Sequence, residues 1–213
     1  MKKLLIFDLD GTLSDSSAGV IHCYKKTCEK FGVKNVPEEE FRKGLGGPFA
    51  ENLLRITGLP KERLREAVDY YVSVFASEGF GMCRGFPGIR ETLENLRSQG
   101  YRMCVATLMA DDFTGKFLGK LGIDGLFDSV RSANVSVPVT KKELILKCLE
   151  DAGTAGKDAV MIGDSADDME SAAEAGLGFI AAAYGYGLPE SVCIEKGIKY
   201  VKKPEDLLGI LRE

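Results

Sequence analysis

The sequence predicts an α/β protein, a doubly wound parallel-sheet core carrying an inserted all-helical subdomain. Three observations lead there. Short apolar runs recur without polar alternation, as expected of strands buried on both faces of a parallel sheet. Segments of helical periodicity separate those runs, the pattern of successive βαβ units. Between the first and second runs lie about seventy residues of helical pattern with no buried strand, too many for a simple crossover.

The elements follow in order. KLLIF (3–7) is the first strand. AGVIHCYKKTCEKFG and KERLREAVDYYVSVFASEG read as helices of the insertion, and the chain re-enters the core near Gly85-Phe86-Pro87-Gly88. This places the core at residues 1–16 and 85–213 and the inserted subdomain at 17–84. PGIRETLENLRSQG opens on Pro and closes on Gly, as a helix does. YRMCVA (101–106) is the second strand, followed by helices over ADDFTGKFLGKLG and TKKELILKCLEDAG. DAVMIG (158–163), the helix SADDMESAAEAG, GFIAAA (178–183) and IKYV (198–201) complete the core.

Composition sets bounds on function. The 213 residues, 45% hydrophobic and 28% charged, suffice for a sizeable core. A net charge of −4 argues against a chain that carries a nucleic-acid backbone along a basic face. An anion bound by such a chain needs a local site, and a negative chain tends to recruit a cation there. The six cysteines contain no Cys-x-x-Cys pair, and the single histidine, His22, sits beside Cys23 without metal-ligand spacing. The thiols read as reduced and mostly buried. The apolar run before Asp8 is too short for a secretory segment, and no run approaches the ~20 residues of a membrane span. The expectation is a cytoplasmic monomer or homodimer with no membrane or nucleic-acid partner.

In open α/β sheets ligands bind outside the carboxyl ends of the strands. Those ends carry Asp8, Asp10, Gly11 and Thr12 after the first strand, then Thr107, Lys141, Asp164 and Asp168. Asp8 and Asp10 are two apart, so an extended backbone sends both to one face, where one carboxylate attacks while the other handles protons. Gly11 allows a tight turn, and Thr12 offers a hydroxyl and an N–H. Asp164 and Asp168 are four apart at a helix start, a spacing that stacks them on one face beside N–H groups suited to an anion. Such carboxylates fit a hard cation, Mg²⁺. Taken as turn residues alone, Asp8 and Asp10 would leave Lys141 and Asp164 at the same edge unexplained. Ser14, Asp15 and Ser16 read as turn and N-cap residues, Lys43 and Arg84 as solvated charges, and His22 as an ordinary helix residue. Gly44, Gly46 and Gly47 shape a loop of the insertion.

Together DLDGT (8–12), the Thr107 of VATL, the Lys141 of TKKEL and GDSADD (163–168) resemble the haloacid dehalogenase-like hydrolases. GLGGPFAENL (44–53) and AYGYG (183–187) are similar to segments of the phosphoglycolate-phosphatase-like subgroup, whose inserted helices form a type C1 cap. The resemblance covers the whole chain and implies a Rossmann-like core with residues 17–84 as cap. It makes Asp8 the nucleophile and Asp10 the acid/base, its backbone carbonyl also on the metal. It places Thr107 and Lys141 on the transferring phosphoryl group, Asp8 and Asp164 on Mg²⁺, and Asp168 behind them through water. Gly11, Thr12 and the backbone of Leu108 are expected to bind phosphate. Leu108 and Met109 stand where relatives often carry a polar residue and then lysine, leaving phosphate to Thr107 and backbone N–H groups.

The implied function is Mg²⁺-dependent hydrolysis of a small phosphorylated metabolite, a phosphoglycolate-like phosphomonoester. A phosphosugar mutase, a 5′-nucleotidase and a pyrophosphatase share the scaffold. A receiver-like signalling domain and a silent binding module are rivals of another class. Receivers have about half this length and lack the insertion, and a silent module sits poorly with a full set of site residues.

Overall fold

Leu4–Phe7 (β1) has no polar residue to turn toward water, and all four side chains are buried. The strand lies inside a parallel sheet, with Leu4 opposite Arg102 on one side and Ala159 on the other. The computed structural model describes residues 4–134 and 139–212, so Lys3 of the expected first strand lies outside the described residues. The chain divides into two compact units, Met1–Ser14 with Gly85–Glu213, and Asp15–Arg84.

In the first unit β1 is followed, beyond the insertion, by α6 (Ile89–Ser98), β4 (Arg102–Ala110), α7 (Asp111–Leu121) and β5 (Ser129–Ala133). Then come α8 (Lys141–Ala152), β6 (Ala159–Gly163), α9 (Ala166–Glu174), β7 (Gly178–Ala182), α10 (Glu190–Lys196), β8 (Tyr200–Val201) and α11 (Leu207–Ile210). Among the described residues the sheet has the order β5-β4-β1-β6-β7-β8, with every pairing parallel. After β1 the chain builds outward through β4 and β5. It then crosses to β6 and builds the opposite way, so the switch point lies between β1 and β6.

Side chains alternate across β1. Leu4 and Ile6 pack with Cys104, Met161 and the α8 residues Leu144, Ile145 and Cys148. Phe7 meets Phe127 edge to face with ring centroids 6.2 Å apart. Among the described residues all six cysteines are buried. No described helix is long and apolar enough to cross a membrane.

One strand of the sheet, β5, has no counterpart in the sequence expectation. Its residues SVRSA are half-exposed at the sheet edge and carry no continuous apolar run. The second core strand also runs further than expected, to Ala110, through a bulge. Thr107 pairs with Ser132 and Ala110 with Ala133, so Leu108 and Met109 are extra residues on the β4 side.

The second unit consists of α1 (Ser17–Lys30), α2 (Glu38–Arg42), α3 (Phe49–Thr57), α4 (Leu64–Val74), a π-helical turn over Phe75–Gly79, and α5 (Phe80–Met82). Two short strands, β2 (Ser14–Asp15) and β3 (Arg84–Gly85), pair where the chain leaves and re-enters the core. Tyr71 holds the unit's aromatic centre, 5.2 Å from Tyr24 and 4.7 Å from Phe49 between ring centroids. A Cβ on Gly19 would lie 2.3 Å from Gly79 O, so α1 and the π turn touch backbone to backbone. The Gly44 loop is held by Tyr24, whose hydroxyl donates to Gly44 O at 3.1 Å. His22 meets Glu78 at 2.8 Å, and Lys43 bridges Glu39 and Glu40 at 3.0 Å each. Arg84 donates to Gly81 O and Cys83 O.

Candidate active site

The carboxyl edge at the switch point gathers charged side chains that globular proteins seldom bury unless paired. Asp8, Lys141, Asp164 and Asp168 retain only 7, 5, 3 and 1% of their surface. Asp8 follows β1 directly, and its N–H still donates to Ile162 O at 2.9 Å. The ladder thus fixes the Asp8 backbone beside Ile162, one residue before the end of β6.

Lys141 is the first residue of α8. Thr140 caps that helix, its hydroxyl accepting from the Glu143 N–H while the Glu143 carboxylate accepts from the Thr140 N–H. The cap sets where α8 starts and so aims Lys141 inward. Its Nζ donates to Asp8 Oδ1 at 2.5 Å and to Ala106 O at 3.1 Å, and stands 2.9 Å from Asp168 Oδ1. Lys142 points elsewhere and pairs with Glu174 on the surface.

Asp168 also serves a capping box. Its Oδ2 accepts from the Ser165 N–H and hydroxyl, while its own N–H donates to the Ser165 hydroxyl. Asp164 precedes α9 and lies outside it, because Ser165 is the N-cap. The expected stacking of Asp164 and Asp168 on one helix face is therefore corrected. The two converge by different routes, Asp164 from the loop after β6 and Asp168 from the first turn of α9. Among the described residues, ligand oxygens of Asp8, Asp164 and Asp168 all lie within 4.8 Å of one another.

The electrostatics of this cluster are those of crowded, buried carboxylates. Burial raises the Asp8 carboxyl well above the ordinary range, with Lys141 opposing and Asp168 and Asp164 reinforcing the rise. Burial pushes Asp164 up to about 7, against the N–H groups of Tyr186 and Gly187. Burial alone would lower Lys141, but Asp168 and Asp8 outweigh it and hold the ammonium above its usual range. A divalent cation would relieve the remaining repulsion, and three oxygen donors at this spacing suit a hard ion such as Mg²⁺. The residues fit the group.

The other expected site residues have different surroundings. Asp10 is half-buried and forms an isolated bridge with Ser14. Gly11 adopts φ +83°, and its N–H donates to Ser14 O at 2.8 Å. The Thr12 N–H donates to Leu9 O at 3.3 Å, and its side chain is fully buried. In this structure both N–H groups therefore close the turn. Thr107 is buried, and its hydroxyl accepts from the Met109 N–H at 3.1 Å, inside the bulge. The Leu108 side chain is 45% exposed.

Sequence reasoning missed the turn after β7 as part of the site. The N–H groups of Tyr186 and Gly187 donate to Asp164 Oδ2 at 2.7 and 3.3 Å. Backbone donors leave no side-chain signature. Two glycines flanking a tyrosine at the carboxyl end of a core strand were the available signal.

Fold and site together define a doubly wound α/β protein with an acidic, lysine-neutralised site at its topological switch point. The chain belongs to the haloacid dehalogenase-like hydrolases, whose family model matches residues 5–182. It is 31% identical over 186 residues to a protein named tyrosine-protein kinase PtkA from Mycobacterium tuberculosis, covering 87% of this chain and 63% of that one. The chain thus spans less than two thirds of that relative's length. It is 30% identical over 192 residues to a phosphoglycolate phosphatase from Nitrosococcus oceani, covering 86% of this chain and 85% of the other. The fold matches a haloacid dehalogenase-like family hydrolase from Streptococcus pneumoniae with a TM-score of 0.89 and 28% identity, over 98% of both chains.

Proposed function

We propose that this protein is a Mg²⁺-dependent phosphatase that hydrolyses a small phosphomonoester of the phosphoglycolate kind through an aspartyl-phosphate on Asp8. The observation that carries this reading is the buried Lys141 ammonium on Asp8 Oδ1, with Asp164 and Asp168 beside it. Family membership and the likeness to a phosphoglycolate phosphatase support it. We read residues 15–84 as the cap that selects the substrate.

In the first step an Asp8 carboxylate oxygen forms a bond to phosphorus as the bond to the leaving oxygen breaks, and Asp10 gives that oxygen a proton. In the second step a water oxygen attacks the same phosphorus, Asp10 takes the water proton, and the Asp8–phosphorus bond breaks to return the carboxylate and free phosphate. Lys141 holds Asp8 in one orientation and offsets phosphoryl charge, and Thr107 contributes a hydroxyl. Asp8 and Asp164, with the Asp10 carbonyl and with Asp168 behind them through water, would hold Mg²⁺. When bound, that ion neutralises charge on the nucleophile and phosphoryl oxygens.

The test compares the wild type with Asp8→Asn on a panel of phosphoglycolate, nucleoside monophosphates, sugar phosphates and pyrophosphate. Phosphate release is followed with and without Mg²⁺. Release that needs both Asp8 and Mg²⁺ is expected. A mutant as active as wild type would remove Asp8 from the mechanism. A phosphorylated sugar product without free phosphate would make the protein a mutase.

A further inference from the structure

The turn at residues 183–187 closes around Asp164. Its N–H groups at Tyr186 and Gly187 both converge on one oxygen, Oδ2. A Cβ at Gly185 would lie 2.4 Å from the Asp164 Cβ and 2.3 Å from Gly11 O. At Gly187 a Cβ would lie 2.9 Å from Asp164 O, and at Gly11 one would lie 2.3 Å from Asp164 Oδ2. Separations under 3.0 Å essentially never occur for real Cβ atoms, so a methyl group at any of the three must displace something. The turn is also anchored by two further hydrogen bonds. The Gly185 N–H donates to Ala182 O at 2.9 Å, and the Tyr184 hydroxyl donates to Thr12 O at 2.9 Å. Tyr184 further packs edge to face on Phe86, with ring centroids 4.8 Å apart.

We propose that this turn is a positioning element for Asp164: its two N–H groups hold Oδ2, and its glycines clasp the side chain, so that the other oxygen is presented to a divalent cation. The inference deepens the cation-site reading above and rests on it. A carboxylate free to rotate would lose orientation each time the ion left. One pinned by two donors is ready for the next ion. Outer-shell hydrogen bonds of this kind set metal affinity over about 10- to 100-fold. Tyr186 and Gly187 act through Asp164, so they are positioning residues.

The test is direct Mn²⁺ binding to EDTA-treated, dialysed protein, read from the electron paramagnetic resonance signal of free Mn²⁺ and needing no substrate. Wild type, Gly185→Ala, Gly187→Ala and Asp164→Asn are compared. Gly185→Ala is expected to weaken Mn²⁺ binding about 10- to 100-fold, approaching the loss in Asp164→Asn. If Gly185→Ala does not fold, Gly187→Ala, the milder intrusion, decides, with a smaller loss expected. A folded glycine variant that binds Mn²⁺ as tightly as wild type overturns the positioning role and leaves the cation site standing. Wild type that binds no Mn²⁺, or Asp164→Asn that binds it undiminished, overturns the cation-site reading and this inference with it.

Discussion

Lys141 places a full positive charge between two carboxylates and a carbonyl, with 5% of its surface left to solvent. Removing one partner of a buried ion pair costs more than the pair contributes, because the remaining charge has neither water nor a counter-ion. Lys141→Met is therefore expected to destabilise the metal-free protein by about 3–5 kcal/mol in urea unfolding as well as to abolish turnover. A cost below about 1 kcal/mol would contradict the buried pairing of Lys141 with Asp8. At this scale the sequence was informative where a side chain does the chemistry. Asp8, Lys141 and Asp164 stand out through their spacing at strand ends. The Tyr186 and Gly187 donors do not, because any residue but proline has an N–H. Asp164 stands two residues before α9 because Ser165 caps that helix, which the four-residue spacing of Asp164 and Asp168 does not reveal.

The elements show the same division. Continuous apolar runs and helix punctuation marked most of the sheet and the helices between its strands, since burial on both faces leaves a strong compositional trace. The edge strand β5 was illegible because its half-exposed residues SVRSA are specified by pairing with β4, a non-local fact. Helix starts matter functionally here, since both capping boxes stand beside a site residue. Thr140 is the residue before Lys141, and Thr140→Ala removes the side-chain acceptor for the Glu143 N–H. It is expected to cost about 0.5–2 kcal/mol of stability, seen as a lower thermal midpoint, and to lower turnover more than substrate affinity. An unchanged turnover number would separate the cap from the aim of Lys141.

For the molecule as a whole, the buried acids set an unusual dependence on pH. Asp164 rises by burial from an ordinary value of 3.8 to about 7, and Asp8 shifts the same way. Between about pH 4 and 7 the native protein then holds protons that the unfolded chain releases, so stability falls as pH rises through this window. Exposed pairs act oppositely. The hydrogen bond from Arg131 lowers the Asp151 carboxyl, and its contribution is present above pH 4 and lost in acid. The EDTA-treated protein is expected to melt at a lower temperature at pH 8 than at pH 5. Asp164→Asn should flatten that slope, and saturating Mg²⁺ should offset it through binding to the native state. Metal-free protein that gains stability over the same interval would contradict the burial of ionisable Asp164. None of this was legible beforehand, because the degree of burial depends on how the two halves of the sheet meet.

The position of β1 at the centre of the sheet has a consequence for biosynthesis. Leu4 needs Arg102 on one side and Ala159 on the other, and Asp8 meets its lysine across 133 residues of sequence. β1 leaves the ribosome before β4 and β6, so it must wait, apolar and unpaired, until both neighbours have emerged. Contacts so distant along the chain slow folding and prolong exposure of sticky segments. The inserted helices find their partners within Asp15–Arg84, all of which emerges before β4, and have no such delay. The nascent protein is thus expected to fold its inserted helices first, with the acidic cluster assembled last.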